Sequence, residues 1–222
     1  MFKFAAFLFT FVTIAGLVAG NGADSATPTL PNPSADTTLA TTKSEQSVVI
    51  AGGCFWGIQA VFQHVKGVIS ATSGYAGGNS KSAEYELVST GETGHAESVK
   101  IVYDPSQITY GQLLRVFFSV AHDPTQLNRQ GPDEGSQYRS AIFYGNNEQR
   151  RIAEGYIAQL DKAKIFPRPI VTQVAPLKGF YAAEAYHQNY AANHPSNPYI
   201  VYNDAPKVAH LRQQFPELYA GQ

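Results

Sequence analysis

The chain has 222 residues, with 16 basic and 17 acidic side chains and a net charge of −1. That balance lacks the electrostatic footprint of a protein that neutralises phosphates, so nucleic acid is not an expected partner. The single cysteine, Cys54, excludes an intramolecular disulfide and any metal site that needs several cysteines from one chain.

Met1-Phe2-Lys3 followed by the apolar run Phe4 to Ala19 has the pattern of a secretory signal peptide, assigned to residues 1–20. Export to the periplasm or the medium follows. An uncleaved anchor is the rival, although the run falls a little short of the ~20 residues that span a bilayer. Residues 21–46, with six Thr, four Ala, three Ser, three Pro and no aromatic side chain, read as a disordered linker removable without loss of function. Residues 47–222 form one catalytic domain, long enough to bury a core.

Ser47 to Ala51 predicts a strand that ends at Gly52-Gly53, and Phe55, Ile58, Phe62 and Val65 give a helix from Cys54 to Lys66. Val68 to Tyr75 predicts a second strand, followed by a loop from Gly74 to Ala83. From His95 to Tyr103 the residues alternate, with Glu97, Val99, Ile101 and Tyr103 on one face. Thr109 caps a helix whose apolar face is Leu113, Leu114, Phe117, Phe118 and Ala121. A strand over 137–144, a helix from Asn146 to about Lys164 and a short strand over 170–174 complete the order. Repeated βαβ units of this kind predict an α/β (α+β) fold: a two-layer mixed sheet with helices on a ferredoxin-like split βαβ core with additions.

Cys54 stands where a glycine turn opens a helix, a position that favours a thiolate. Phe55 and Trp56 place an aromatic wall beside it. Glu97 points with an apolar face, and loss of hydration raises its pKa until it can donate a proton. Tyr138 and Tyr85 follow or flank polar turns, and alone each reads as a core tyrosine. The six histidines show no zinc-ligand spacing, and Gly74 to Gly78 is no phosphate loop.

Gly53-Cys54-Phe55-Trp56-Gly57 resembles the signature of the class A peptide methionine sulfoxide reductases, that is, peptide-methionine (S)-S-oxide reductases. Further family blocks follow in order: Gly94 to Glu97, His122 to Gln126, Asp133 to Ser140, and Tyr186 to Gln188 with Tyr190. The resemblance implies an oxidoreductase that repairs the S epimer of methionine sulfoxide in proteins, and in free methionine sulfoxide too, through a sulfenic acid on one cysteine. It implies Cys54 as nucleophile, Glu97 as acid, Tyr85 and Tyr138 as holders of the sulfoxide oxygen, Phe55 and Trp56 as methyl wall, and Asp133 in the polar surround. Many members carry a resolving cysteine after Asn-Pro-Tyr, where this chain has Ile200. No cofactor or metal is therefore expected, only an external thiol donor of the thioredoxin or glutaredoxin kind, and a monomer suffices. Two rivals remain: a cysteine hydrolase using Cys54, His187 and Asn203, and a non-catalytic module that binds oxidised methionine.

Overall fold

The computed structural model describes residues 30–221, so the expected signal peptide lies outside the described residues. Strands β1 (Gln46–Gly52), β2 (Val68–Ala76), β3 (Ala96–Tyr103) and β6 (Ser140–Tyr144) form the centre of a sheet ordered β7-β6-β1-β3-β2-β8. Its outer members are β7 (Gln173–Pro176) and β8 (Phe180–Ala182). A second, two-stranded ladder joins β4 (Arg129–Gln130) to β5 (Asp133–Glu134). The central order β6-β1-β3-β2, antiparallel throughout, is that of a ferredoxin-like split βαβ unit, and parallel β7 makes the sheet mixed.

β1 lies between β3 and β6, and apolar clusters cover both its faces, which is why Val48 to Ala51 is a continuous apolar run. Val48 and Ile50 face the helices α1 (Phe55–Gln63), α3 (Tyr110–Val116) and α4 (Asn147–Lys162), where Phe55, Phe62, Leu114, Phe117 and Ile152 fill the main core. Val49 and Ala51 face a smaller cluster with Ala76, Ala141 and Phe143. The same alternation puts Val99, Ile101 and Tyr103 of β3 into the main core.

Several boundaries depart from the sequence expectation. The strand expected over 137–144 begins only at Ser140, because Gly135 (φ +133) and a 3₁₀ turn over Ser136–Tyr138 lead into it. Tyr138 therefore sits on a turn instead of a strand. Thr109 does cap α3, through a reciprocal box with Gln112, and the helix ends in a π turn over Phe117–Ala121. Asn146 accepts the Gln149 N–H at 2.9 Å, but the Gln149 side chain accepts from Gly145 N, so no reciprocal capping box closes at α4. The late strand lies at Gln173–Pro176 instead of 170–174, and α6 (Ala205–Gln214) adds a helix that the sequence reading did not assign.

The linker expectation fails from Leu30 onward. Residues 30–45 have no regular secondary structure, yet Leu30 is buried in the main core. The Tyr156 hydroxyl donates to Pro31 O at 2.7 Å, Arg115 Nε to Leu30 O at 2.7 Å and Gln159 Nε2 to Asn32 O at 2.9 Å. Asp36 accepts from Gly111 N at 2.7 Å and from the Thr109 hydroxyl at 2.5 Å. Composition argues for disorder when a segment lacks apolar groups to bury. Here long side chains of α3 and α4 supply the partners, and they satisfy backbone carbonyls that composition does not register.

Candidate active site

At the end of β1, Gly53 takes φ +94, and a Cβ there would meet the Cβ of Gln130 at 2.6 Å. This turn sets Cys54 as the N-cap of α1, with φ −52 and ψ 125 and no side-chain cap bond. Cys54, Phe55, Trp56, Tyr85, Glu97, Asp133, Tyr138 and Tyr199 line one pocket of about 190 Å³. All seven residues singled out from the sequence lie there together. A wider groove of about 720 Å³, lined by α1, α6 and α5 (Tyr190–Asn193), holds none of them.

Glu97 is the second residue of β3, opposite Tyr75, and is 4% exposed. Its Oε2 accepts the Phe55 N–H at 3.0 Å, while Oε1 has no hydrogen-bond partner among the described residues. Burial pushes its pKa up to about 8, with the Phe55 N–H opposing and the charges of Asp133 and Asp204 adding to the rise. At neutral pH the carboxyl is mostly protonated. Cys54 behaves differently from the sequence expectation. Burial, then the negative charges of Glu97 and Asp204, push the thiol up, and the Trp56 amide and Lys207 only partly oppose them. The helix terminus is present, but its effect is outweighed by desolvation.

Two loops meet to bring the tyrosines in. Ser136 Oγ donates to Gly91 O at 2.6 Å, Gln137 Nε2 to Ser89 O at 3.1 Å and Arg139 Nη1 to His95 O at 3.0 Å. These bonds carry Tyr138 to the same pocket as Tyr85, the first residue of the short helix α2 (Tyr85–Val88). Tyr85 N donates to Glu184 Oε1 at 2.9 Å, whose other oxygen accepts from the Tyr75 hydroxyl at 2.8 Å. Burial and the nearby Glu97 push both pocket tyrosines above the ordinary phenol range, so each keeps its proton.

The aromatic wall is fixed on every side. Trp56 stacks on Tyr190 with centroids 3.8 Å apart, meets Tyr199 edge-on at 5.9 Å, and donates its Nε1–H to His187 Nδ1 at 3.2 Å. Phe55 packs against Tyr75 at 5.9 Å and His187 at 5.0 Å. Asp133 accepts from the Tyr199 hydroxyl at 2.5 Å. From the long C-terminal segment, Tyr199 lines the pocket and His187 and Glu184 stand behind Trp56 and Tyr85; the sequence analysis assigns no site to Tyr199 or Glu184 and weighs His187 only for a hydrolase. Asn197-Pro198-Tyr199 was noticed only for its missing cysteine, and that position, Ile200, is buried. His187 is bonded to Trp56, and Asn203 Nδ2 donates to Tyr199 O at 3.1 Å, so the Cys-His-Asn alignment of a hydrolase is not formed. Among the described residues no cluster of His, Cys, Asp and Glu fits a metal ion.

The sequence matches the family model described as Peptide methionine sulfoxide reductase over residues 46–219. Peptide methionine sulfoxide reductase MsrA 2 of Mesorhizobium japonicum is 63% identical over 175 residues, covering 79% of this chain and 90% of that relative. Peptide methionine sulfoxide reductase MsrA 2 of a Synechocystis species is 47% identical over 190 residues, covering 85% and 89%. Among solved structures, methionine sulfoxide reductase A of Corynebacterium diphtheriae matches with a TM-score of 0.60 at 36% identity, covering 77% of this chain and 86% of that one. Reduced Mxr1 from Saccharomyces cerevisiae matches with a TM-score of 0.65 at 29% identity, covering 78% and 95%.

Proposed function

This chain belongs to the peptide methionine sulfoxide reductase family, and from that premise we propose that its pocket reduces the S epimer of methionine sulfoxide in proteins, with Cys54 as nucleophile and Glu97 as acid. The observation that carries these roles is the meeting of a thiol, a carboxyl that keeps its proton to about pH 8, two phenol hydroxyls and an aromatic wall in one small pocket. Sulfoxide oxygen leaves poorly as an anion and well once protonated. Phe55 and Trp56 receive the methyl group, Tyr85 and Tyr138 donate to the sulfoxide oxygen, and Glu97 gives it a proton. Asp133 fixes Tyr199 at the pocket edge.

The step balances without a cofactor. The Cys54 sulfur bonds to the sulfoxide sulfur, the oxygen passes to Cys54, and methionine leaves as its sulfur is reduced by two electrons. Cys54 is oxidised to the sulfenic acid. The chain has no second thiol, so an external thiol condenses with the sulfenic acid, releasing water, and a second thiol resolves the mixed disulfide. A thioredoxin-like or glutaredoxin-like protein suits that role, and free methionine sulfoxide is small enough to enter. Residues 1–20 carry the pattern of an export signal, which supports action in the periplasm or outside the cell.

Incubating the protein with each epimer of a methionine sulfoxide peptide, without reductant, tests the reading. About one equivalent of methionine from the S epimer alone, with Cys54 oxidised by mass, is expected for a chain with one redox-active thiol. No methionine from either epimer, with Cys54 still reduced, overturns it.

A further inference from the structure

Asp204, the last residue of a π turn over Ile200–Asp204, and Lys207, in the first turn of α6, press against the start of α1. Lys207 Nζ donates to Asp204 Oδ1 at 3.1 Å, and a Cβ on Gly57 would meet that ammonium at 2.7 Å and the Asp204 Cγ at 2.8 Å. Gly57 is thus the small residue that lets an ion pair lie on the first turn of the helix Cys54 caps. Asp204 is 0% exposed, its Oδ2 has no partner among the described residues, and the Lys207 side chain is 17% exposed. A buried pair of this kind is a poor source of stability, because desolvation offsets the attraction and one carboxylate oxygen stays unsatisfied.

The charges around it give the pair a purpose. From β3, β5 and the π turn, Glu97, Asp133 and Asp204 act on one another in the space around Cys54. Lys207, whose ammonium lies against Gly57 three residues from Cys54, is a cation that favours the charged forms of Cys54, Asp133 and Asp204, although it is the weakest of the influences on the thiol. The nearby histidines supply no counter-charge: burial brings His122, at the end of the other π turn, down to about 3, and lowers His187. Without Lys207, a thiolate would form beside carboxyl groups alone.

We propose that Lys207 is a positioning residue for the reductase reaction, held by Asp204 against the first turn of α1 as the counter-cation of the Cys54 thiolate. The role rests on the reductase reading of the pocket, but its first test does not need a sulfoxide. In the full chain, the rate of Cys54 alkylation by iodoacetamide is followed from neutral to alkaline pH for wild type, K207Q, K207R and D204N, with melting curves to show that each is folded. K207Q keeps a donor for Asp204 and loses the charge, so its profile moves upward by about one pH unit and neutral alkylation slows about tenfold. K207R restores the wild-type profile. D204N keeps the acceptor for Lys207 and removes one anion, so its profile moves the other way. A purely structural pair would shift neither profile or both in one direction, and either result overturns the proposal. If one neutral variant does not fold, the other decides alone: K207Q unmoved, or D204N unmoved, counts against it. Single-turnover reduction of the S epimer by K207Q is expected to slow about tenfold in step with the thiolate. Opposed alkylation shifts in a protein that never releases methionine would sink the reductase reading and leave the charge assignment in place.

Discussion

Two helix N-termini in this domain receive a carboxyl group from a distant segment, and they use it for different ends. At α3, Thr109 and Gln112 form a reciprocal box, Thr37 Oγ1 accepts the Tyr110 N–H at 3.3 Å, and Asp36 of residues 30–45, a strap bonded to α3 and α4, accepts the Gly111 N–H. At α1 the N-cap is Cys54, whose side chain caps nothing, and the Phe55 N–H goes to Glu97 of β3. The first terminus is itself buried but saturated with acceptors, and its carboxyl, Asp36, stands exposed to water. The second is left with few acceptors in a buried pocket. Unsatisfied N–H groups favour an acceptor in both places. Burial decides whether that acceptor serves as a cap or holds a proton for chemistry.

The largest expected effects come from emptying the α1 terminus. Cys54→Ser abolishes methionine release, because serine cannot take up the oxygen as a sulfenic acid. Glu97→Gln keeps the bond from Phe55 but removes the transferable proton, and single-turnover reduction falls by about 10²-fold or more. The pH dependence separates this from misfolding. With Glu97 acting as acid and the Cys54 thiolate as nucleophile, wild-type reduction stops rising with pH near 8, where loss of the acid offsets the gain in thiolate, whereas the residual rate of Glu97→Gln keeps rising through that point.

Stability carries the same signature with a determinate sign. The folded-state pKa of Glu97, about 8, lies above the ordinary 4.5. Its favourable contribution is therefore complete below about pH 4.5 and is lost as pH rises through about 8. Urea titrations over that window should show wild-type stability falling more steeply than that of Glu97→Gln. Equal slopes would contradict a neutral buried acid.

Smaller effects follow for the oxygen-holding hydroxyls. Tyr85→Phe and Tyr138→Phe each remove one donor while keeping the ring, and each is expected to slow reduction about tenfold or somewhat more, as for a hydrogen bond worth about 1.5–3 kcal/mol. Unchanged rates in both would mean that Glu97 alone handles the oxygen.

The difference between the termini also shows what a sequence reveals. Around α1 the informative signals are local: a β-branched run, paired glycines, a cysteine, aromatic neighbours, and a glutamate whose parity with Val99 and Ile101 announces a buried face. These bring Cys54, Phe55, Trp56 and Glu97 into view, while Tyr85, Tyr138 and Asp133 come only from the family resemblance. What stayed hidden depends on long separations. Tyr199 meets Asp133 across 66 residues, Trp56 meets His187 across 131, and Asp36 meets Thr109 across 73. Helix position favours a thiolate locally at Cys54, but burial, and then carboxyls that arrive from β3 and the C-terminal segment, push the thiol up. Tyr138 was placed on a strand because its alternation with Ser140 and Ile142 resembles one, and the positive φ of Gly135 leaves no trace in periodicity.

The strap allows the α3 side to be tested by removal. Deleting residues 30–44 strips Leu30 from the core and leaves the Tyr156, Arg115 and Gln159 side chains without their partners. Burying one leucine contributes about 1.5–3 kcal/mol, and the lost bonds add about 1 kcal/mol each. The deletion should lower the denaturation midpoint markedly while the folded fraction keeps its epimer preference. An unchanged midpoint would restore the reading of this segment as a dispensable linker.

Asp36→Ala is the finest of these tests, because it touches a single acceptor at α3 and nothing at α1. The variant frees the Gly111 N–H and the Thr109 hydroxyl, but Thr109 still accepts from Gln112 N at 3.1 Å and Gln112 still reaches back to Thr109 N at 2.9 Å. With the box intact, the loss should sit near the usual cost of one cap, about 1 kcal/mol, which for a domain of this size lowers Tm by about 2–4 °C. Reduction of the S epimer should not change, since α3 meets the pocket only through the packed core. A matching loss of activity would mean that the two termini are coupled through α3 and β1, and the division between a terminus built for stability and one built for chemistry would then fail.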